Sequence, residues 1–476
     1  MHLFLLTLIG LLSFSLPAQS DSKPNIVVIF MDDMAYADIG PFGAKAYPTP
    51  HLDRMAREGR KFTDFYVTQA VCSASRAGLL TGCYNVRVGI LGALGPKATH
   101  GINPTEITLA EICKQRGYAT ACYGKWHLGH HKKFLPLQHG FDEYFGIPYS
   151  NDMWPYHPGV RHLPMEERLK KWPHLPLIEA NKVINPRVTG KDQEQITTQL
   201  TERSVRFIEK NKDKPFFLAV GLSKPHLPFV APAKYWNLYQ RESFRMPPNA
   251  GIPPGYPVFA ANQNAPEMKK YSDFEGLGPK DFSMATNQRL LHGYAAATSY
   301  VDACVGRILD SLERNGLADK TIVVLWGDHG WKLGDHSSWC KHTNFECDAR
   351  VPLIVRDPRI QAGRTPRLIE LIDLYPTLCD LTGIPIPGHC QGRSFRAVLE
   401  NPEAGHRLDA YSTYPAQKLM GHSIHHKHYR YTEWRDKENQ TVSSVLTDLN
   451  ADPGEVTNVK NEPKYAEALA LVRERL

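Results

Sequence analysis

The feature that most constrains the fold of this chain is a set of short apolar runs, each of which ends abruptly at polar residues. Near-continuous β-branched and apolar residues are typical of strands that are covered on both faces. The runs span residues 25–31, 118–123, 216–222 and 321–326, with helical patterns between them at 109–116, 202–211 and 294–315. Alternating strands and helices predict an α/β fold with a large, mostly parallel sheet flanked by helices.

Each apolar run leads into side chains that can carry chemistry. Taken singly, an aspartate pair after a strand is more often a turn or a helix cap, and a lone histidine is more often structural. However, ligands of open α/β sheets bind beyond the carboxyl ends of the strands, so the joint placement predicts one common site. The residues concerned are Asp32, Asp33, Lys125, His127, Lys224, His226, Asp328 and His329.

A second informative segment runs from Cys72 to Gly82 and begins Cys-Ser-Ala-Ser-Arg, followed by small and apolar residues. Free cysteine is among the most buried residue types, so one interpretation is a buried cysteine before an ordinary helix. The other interpretation is a reactive position. Arg76 follows Cys72 by four residues, which places both on one face of a helix. The first turn of that helix presents unpaired backbone N–H groups to an anion.

Composition limits the remaining classes of function. The chain has 476 residues, 42% of them hydrophobic and 22% charged, which is ordinary for a globular protein that is too long for one small domain. The net charge of +7 suits an anionic substrate. No lysine- or arginine-rich run is present in the sequence, so nucleic-acid binding is not expected.

The N-terminus points to export, and the cysteine count bears on disulfide pairing in an exported protein. The apolar run at 3–16 is too short to span a bilayer, so we interpret residues 1–20 as a signal peptide, with a buried N-terminal helix as the alternative. We expect an exported protein (secreted, periplasmic or in a lysosome-like compartment) without a transmembrane segment. The cysteines number nine; if Cys72 is consumed, eight can pair, and Cys379 and Cys390 would close a short loop.

The Cys72 segment resembles the C-x-P-S-R signature of the type I, formylglycine-dependent sulfatases of the alkaline phosphatase superfamily. Ala74 stands where that signature usually has proline. The likeness extends over nearly the whole chain and combines two branches of the family. The stretches that carry it are 124–129 (GKWHLG), 224–226 (KPH), 327–346 and 420–434 (both similar to the iduronate-2-sulfatase branch) and 134–152 (similar to arylsulfatases).

The resemblance implies a nucleophile that is made after translation. A formylglycine-generating enzyme would oxidise Cys72 to formylglycine (3-oxoalanine), whose hydrated aldehyde has one hydroxyl to attack sulfur and a second to expel sulfate. One divalent cation would complete the site; oxygen ligands favour calcium, and a histidine ligand leaves magnesium or manganese open. The implied metal ligands are Asp32, Asp33, Cys72, Asp328 and His329.

Roles for the other residues follow from the same resemblance. Arg76 would hold the hydrated aldehyde, and Lys125 and Lys341 would grip sulfate oxygens. His127 would take the proton of the second hydroxyl, and His226 would protonate the leaving sugar oxygen. The implied catalytic residues are therefore Cys72, Arg76, Lys125, His127, His226 and Lys341, and the implied substrate-binding residues are Lys125, His226, Lys341, Asp335 and His336.

The resemblance also divides the chain and indicates a substrate. It implies an alkaline-phosphatase-like catalytic domain at 21–400 and a small C-terminal α+β subdomain at 401–476. We interpret the histidine-rich run 422–428 as a solvated loop. The stretches similar to iduronate-2-sulfatase contribute the residues nearest the sulfate. The predicted substrate is therefore a sulfated carbohydrate with a 2-O-sulfated uronic acid or a similar pyranose.

Two other functions stay open. A phosphodiesterase or phosphonate hydrolase of the same superfamily would hold metals at similar strand ends, although a paired-metal site needs additional histidine and aspartate ligands. A catalytically silent glycan-binding homologue would result if Ala74 prevented the modification of Cys72. Relative turnover of an aryl sulfate and an aryl phosphate separates the first alternative, and the chemical state of Cys72 separates the second.

Overall fold

A computed structural model describes residues 23–95, 98–149, 164, 166–167, 177–184, 191–262, 267–268 and 282–476. The signal peptide predicted at 1–20 lies outside these ranges, and so do residues 150–152 of the stretch that resembles arylsulfatases. The fold and the site below are built from the described residues.

The described part of the chain contains sixteen strands. They are β1 (Asn25–Asp32), β2 (Arg60–Tyr66), β3 (Ala119–Gly124), β4 (Glu143–Gly146), β5 (Leu177–Glu179), β6 (Lys182–Ile184), β7 (Phe216–Pro225), β8 (Thr321–Gly327), β9 (Lys332–Leu333), β10 (Trp339–Cys340), β11 (Leu353–Arg356), β12 (Gly363–Glu370), β13 (Asp409–Ala416), β14 (Leu419–His426), β15 (Tyr429–Arg435) and β16 (Thr441–Asp448). The four apolar runs predicted as strands correspond to β1, β3, β7 and β8.

The α-helices of the described ranges lie mostly between strands. They are α1 (Pro50–Glu58), α2 (Cys72–Thr81), α3 (Leu109–Gln115), α4 (Ile196–Lys210), α5 (Ala233–Trp236), α6 (Met284–Arg314), α7 (Glu346–Ala349), α8 (Leu374–Leu381), α9 (Arg396–Glu400) and α10 (Ala466–Arg475). None of these described helices combines the length and the apolar composition that crossing a bilayer requires.

Ten of the described strands form one sheet in the order β12-β2-β11-β8-β1-β7-β3-β4-β5-β6. Its centre is parallel, because β1 pairs in parallel with β7 and β8, and β3 pairs in parallel with β4 and β7. Antiparallel pairs occur where β11 joins β2 and β8 and where β5 joins β4 and β6. The predicted α/β fold is confirmed, as a mixed sheet with a parallel centre.

The central strand β1 is covered on both faces, as its apolar run predicted. Successive side chains of a strand point to opposite sides of the sheet. Ile26 and Val28 pack in the core that includes α2 and α8, whereas Val27 and Ile29 pack in the core that includes α4 and α6. Because helices cover both faces of the sheet, a ligand is expected at the carboxyl ends of the strands.

The C-terminal subdomain is an antiparallel sheet of β13, β14, β15 and β16 with helix α10 packed on it. Its small core joins Ile424, Tyr431 and Leu446 to Val472 of the helix. This is the α+β arrangement that the sequence predicted. The interpretation of 422–428 as a solvated loop is wrong, because most of that run lies in β14, and His425 is buried.

All nine cysteines lie within the described ranges, and each is a free thiol. The pairing predicted for Cys379 and Cys390 is therefore wrong. Cys379 is buried in the core around α8, whereas Cys390 is only partly buried and its Sγ lies against Gly82.

Candidate active site

The carboxyl ends of four neighbouring strands meet at one edge of the large sheet. β8, β1, β7 and β3 are adjacent and parallel, so they all end on the same side. In their register Asp32 lies beside Pro225, and Gly124 lies beside Gly221. The structure therefore brings together the polar residues that follow these strands.

Cys72 joins this group as the first residue of α2. The preceding Val71 is extended, and the helix ends at Gly82, which has a left-handed conformation with φ 66°. Glycine adopts this conformation without the steric cost that other residues carry. Every residue of α2 is buried. The packed helix holds Cys72 at a fixed place beside the strand ends.

Charged side chains surround the sulfur of Cys72. Sγ lies 3.2 Å from Lys125 Nζ, 3.1 Å from His329 Nε2 and 3.8 Å from Asp32 Oδ1. Burial raises the pKa of the Cys72 thiol to about 11, although Lys125 and Lys341 act to lower it. At neutral pH the unmodified side chain is therefore an uncharged thiol, which is a weak nucleophile.

Arg76, one turn into α2, is buried and bound on several sides. Its Nη2 lies 2.7 Å from Asp328 Oδ2 and 3.3 Å from Asp32 Oδ2. Nη1 donates a hydrogen bond to the Lys125 carbonyl oxygen at 2.6 Å, and the guanidinium lies 4.1 Å from the centre of the Phe30 ring. Arg76 thus connects α2 to the ends of β1, β3 and β8.

Three buried carboxylates lie close to Cys72. Burial, with the neighbouring Asp328, raises the pKa of Asp32, and burial raises the pKa of Asp33 well above its ordinary range. Asp33 Oδ2 is buried and accepts no hydrogen bond from the described residues. One ligand atom from each of Asp32, Cys72, Asp328 and His329 lies within 4.8 Å of the others. Because a nearby cation is what keeps buried carboxylates ionised, this donor set fits a divalent metal ion.

The ring of His329 has an orientation that suits a metal ligand. Its Nδ1–H donates to the Gly330 carbonyl oxygen at 3.0 Å. Its Nε2 lies 3.1 Å from Cys72 Sγ and 3.4 Å from Asp328 Oδ1. Histidine ligands of metal ions commonly have their other nitrogen fixed in this way.

Each carboxylate of the group has a cationic partner. The pairs are Lys125 with Asp32 at 2.5 Å, Lys341 with Asp33 at 2.7 Å and Arg76 with Asp328 at 2.7 Å. All six side chains are buried, and their charges cancel. A bound divalent cation would leave the group with a net positive charge, which favours an anionic ester over a neutral one.

Two histidines have one ring nitrogen fixed by the backbone. His127 Nε2–H donates to the Leu94 carbonyl oxygen at 2.9 Å, and its Nδ1 is buried without a hydrogen-bond partner among the described residues. His226 Nδ1–H donates to the Leu227 carbonyl oxygen at 2.6 Å. Burial and the nearby lysines lower the pKa of both rings well below the usual range. In the unliganded protein, both rings are therefore neutral at pH 7 and keep one nitrogen that can take a proton.

Lys125 reaches this group because β3 and β7 approach each other closely at Gly124. Gly124 has φ 140°, and a Cβ there would lie 2.1 Å from the Gly221 carbonyl oxygen. The Lys125 N–H donates to the same carbonyl at 3.3 Å. Only glycine fits between these strands at this point.

Two of the predicted substrate-binding residues are not part of the group. Asp335 is half-buried and accepts a hydrogen bond from the Leu333 N–H. His336 stacks on Phe345 with ring centroids 4.1 Å apart. Within the described ranges, neither side chain makes a hydrogen bond or an ion pair with the residues around Cys72. Both support the turn between β9 and β10.

Three residues that the motifs did not indicate lie on the more exposed side of the group. Glu267 Oε1 lies 3.1 Å from Lys341 Nζ and 3.3 Å from His342 Nε2. The His342 ring stacks on Tyr414, with ring centroids 5.5 Å apart. Burial raises the pKa of the Tyr414 hydroxyl, and the nearby Glu267 acts in the same direction. Adjacency to Lys341 could have indicated His342, whereas the sequence around the other two carries no motif.

The sequence of this chain matches known families along its length. Residues 24–384 match the family model described as Sulfatase, and residues 334–476 match the model described as N-sulphoglucosamine sulphohydrolase, C-terminal. The chain is 30% identical to iduronate 2-sulfatase of Mus musculus, over 94% of this chain and 93% of that protein. It is 31% identical to arylsulfatase G of Mus musculus, over 84% of this chain and 73% of that protein.

The fold also resembles a solved structure of a protein in complex with its substrate, D-glucosamine-2-N,6-O-disulfate. The TM-score is 0.79, and the alignment covers 96% of this chain and 97% of the other. The sequences are 24% identical. A likeness at this level of identity concerns the fold.

Proposed function

This chain belongs to the sulfatase family, and from that we propose that it hydrolyses sulfate esters of sulfated carbohydrates with a formylglycine made from Cys72. The observation that carries the proposal is the position of Cys72 Sγ. It begins α2 between Lys125 Nζ and His329 Nε2, beside buried carboxylates that fit a metal ion. An uncharged thiol is poorly suited to attack there, which supports its conversion by a formylglycine-generating enzyme.

The proposal assigns a place to the divalent cation and to the formylglycine. The residues that would hold the divalent cation are Asp32, Asp33, Asp328, His329 and the modified Cys72. The carboxylate oxygens among these ligands favour calcium over softer metals. The hydrated aldehyde supplies two hydroxyls on one carbon, and the cation supplies positive charge at the sulfuryl oxygens. The raised pKa values of Asp32 and Asp33 support this assignment, because a cation lowers them.

Arg76, Lys125 and Lys341 bind and orient the ester. Lys125 and Lys341 are buried, and each lies on a different carboxylate, so they approach the sulfate from two sides. Fixed cations at a developing oxyanion are worth a few kcal/mol each in the transition state. Arg76, tied to Asp328 and the Lys125 carbonyl, keeps the modified residue in line with the sulfur.

His127 and His226 move the protons. The unpartnered Nδ1 of His127 is the base that accepts the proton of the second hydroxyl when sulfate is released. His226 Nε2 faces the more exposed side of the group, where the sugar oxygen leaves. The bound anionic ester raises the pKa of His226, which lets Nε2 take a proton and then donate it to that oxygen.

The substrate that we propose is a 2-O-sulfated uronic acid or a similar pyranose of a sulfated glycan. The mouse relative named iduronate 2-sulfatase aligns over nearly the whole chain. The stretch that resembles its branch contributes His329 and Lys341, which lie in the group around Cys72. We further propose that the protein is exported, as the apolar run at 3–16 indicates.

The first experiment compares the wild-type protein with Cys72→Ala. We expect wild type to hydrolyse an aryl sulfate faster than an aryl phosphate. Cys72→Ala should lose turnover by on the order of 10³-fold or more while its melting temperature stays close to that of wild type. A variant that keeps substantial activity, or a wild type that prefers the phosphate, contradicts the proposal.

The second experiment tests the substrate with disaccharides that differ only in sulfate position. A 2-O-sulfated uronate should have the highest kcat/KM, because sites built from buried polar groups reject substrates that leave those groups unpaired. Preference for a 6-O-sulfated hexosamine overturns the choice of substrate and leaves the sulfatase activity standing.

A further inference from the structure

Glu267 contacts three side chains at the site, although no motif of the sequence indicates it. Its carboxylate lies 3.1 Å from Lys341 Nζ, 3.3 Å from His342 Nε2 and 3.4 Å from His226 Nε2. Its side chain is 16% exposed, whereas those of Lys341 and His226 are at most 5% exposed. Glu267 is thus an acidic side chain at the boundary between the buried group and the solvent.

From its position, Glu267 would contact the sugar of the substrate and not the nucleophile. His226 and Lys341, its partners, are the residues proposed to meet the leaving oxygen and the sulfate. The 3.4 Å from His226 Nε2 to Glu267 Oε2 is about one hydrogen-bond length. The oxygen substituents on neighbouring carbons of a pyranose ring have a similar spacing. A sugar whose leaving oxygen meets His226 therefore presents its adjacent substituent to Glu267.

His342 and Tyr414 fix Glu267 from the other side. His342 Nε2 lies against Glu267 Oε1, and the imidazole stacks on the Tyr414 ring at an interplanar angle of 23°. Tyr414 belongs to β13 of the C-terminal subdomain, where the Thr413 N–H donates to the Thr68 carbonyl oxygen at 3.0 Å. The carboxylate is therefore held in place by both parts of the molecule.

We propose that Glu267 is a specificity residue, which accepts a hydrogen bond from a hydroxyl next to the scissile sulfate and rejects a second anionic group at that position. This inference rests on the proposed sulfatase function. A carboxylate is an acceptor only, so a hydroxyl or an amine suits it, and a sulfate or carboxylate on the neighbouring carbon is repelled. His342 and Tyr414 act as positioning residues for Glu267.

The test uses three substrates and one simpler probe. The first substrate is the best monosulfated sugar of the disaccharide panel, the second lacks the hydroxyl next to the sulfate, and the third carries a sulfate in place of that hydroxyl. The probe is 4-nitrophenyl sulfate, which has no hydroxyl to meet Glu267. Wild type should prefer the first substrate over the second by roughly 10–100-fold, the range of one hydrogen bond to a charged group.

The variants are Glu267→Gln and Glu267→Asp, with Glu179→Gln as a control on an ion pair that the catalytic group does not include. Glu267→Gln should reduce the preference for the monosulfated over the disulfated sugar by about tenfold, a larger change than its effect on kcat/KM for the aryl probe. Glu267→Asp keeps the charge, so it should still reject the disulfated sugar. Glu179→Gln should match wild type.

Three outcomes overturn the inference. An equal loss on the aryl probe means that Glu267 acts through His226 or Lys341. A lower KM for every substrate, together with stronger inhibition by inorganic sulfate, means that Glu267 competes with the sulfate. Unchanged preferences mean that it does not meet the sugar. If wild type hydrolyses neither the sugars nor the probe, the proposed function itself fails, and the inference falls with it.

Discussion

Asp33, one of the residues around Cys72, has a carboxylate oxygen that lacks a hydrogen bond from the described residues. Its Oδ1 pairs with Lys341 at 2.7 Å, while Oδ2 is buried without a hydrogen bond from the described residues. A buried carboxylate oxygen in this state costs free energy unless a partner completes it. Asp33 belongs to a second described group of possible ligands, with Asp32 and His226, whose ligand atoms lie within 4.8 Å of one another. The proposed cation would be the partner of this oxygen.

Replacing Asp33 tests the metal assignment. We expect Asp33→Asn to weaken the binding of one divalent ion by at least about tenfold, because the variant loses a ligand charge. Removing the ion from wild type with a chelator should abolish activity. Calorimetric titration measures the affinity, with Asp302→Asn as a control, since Asp302 is equally buried and accepts backbone hydrogen bonds near α1. Two zinc ions per chain would contradict the assignment.

Asp38 gives a prediction on pH. Burial raises its pKa from 3.8 to about 7, although Tyr294 and the Ala35 N–H donate hydrogen bonds to it. Between these values the folded protein keeps a proton that the unfolded chain has released, so this group makes the free energy of unfolding fall as pH rises from 4 to 7.

Asp38→Asn removes that titration and keeps an oxygen acceptor. The melting temperature of the variant relative to wild type should therefore increase, by on the order of a few degrees, as pH rises through this window, and stay level above it. Melting curves of both proteins at matched pH values measure this difference. A difference that stays constant or falls from pH 4 to 7 would show that Asp38 is ionised in the folded protein.

From sequence alone, it was possible to predict that the polar residues directly after the central strands lie close together. Asp32 and His329 are examples, because the strand pattern fixes where they lie and the resemblance supplies their chemistry. Glu267 and Tyr414 could not be predicted in this way, since they reach the group from distant stretches without a motif. Asp335 also follows a motif closely in sequence, but its carboxylate accepts a hydrogen bond from the Leu333 N–H, so its role toward the substrate stays a prediction.

Among the secondary-structure elements, β3 and β7 approach each other very closely at one point. Their contact at Gly124 and Gly221 leaves no space for a side chain, and the next residue in the chain is Lys125. The central strands were predicted well because both faces are apolar. The short antiparallel strands β5, β6 and β11 were not predicted, since three or four residues carry too little periodicity.

Gly124→Ala tests this contact. We expect it to destabilise the protein by about 2–5 kcal/mol, as the sum of backbone strain and the clash with the Gly221 carbonyl. Gly43→Ala is the matched control, because Gly43 has φ 122° with no atom within 4 Å of the added Cβ. The control should show strain alone, about 1–2 kcal/mol. Equal urea midpoints for the two variants would mean that the clash at Gly124 relaxes without cost.

For the molecule as a whole, the C-terminal subdomain is bound to the part of the chain with the large sheet next to Lys341. Arg430 of β15 is buried, with Nη2 2.7 Å from Glu346 Oε1 and Nη1 donating to the Asn344 carbonyl oxygen at 2.8 Å. The Glu346 N–H donates to Glu455 at 2.6 Å. The subdomain thus holds the loop after Lys341, which explains why a separate small sheet belongs to the active protein.

Arg430→Met tests this role. Without Arg430, Glu346 keeps a longer contact with Arg350 at 3.8 Å and the hydrogen bond from Tyr66. We therefore expect a loss of about 3 kcal/mol in stability, the low end for a broken buried ion pair, and a fall in activity as the loop shifts. Arg435→Met, on the same strand but with a side chain 27% exposed, should cost much less, about 1 kcal/mol or below. Similar melting temperatures for the two variants would contradict this role of Arg430.

The central claim is that Cys72 becomes the nucleophile after modification, and the mass of one peptide tests it most directly. Trypsin cuts after Lys61 and Arg76, so the peptide 62–76 contains Cys72 as its single cysteine. In protein from the native host, we expect the mass in which an aldehyde replaces the CH2SH group, together with a hydrazide adduct of that peptide. A peptide that is entirely thiol, in protein that still hydrolyses sulfate esters, would contradict the account.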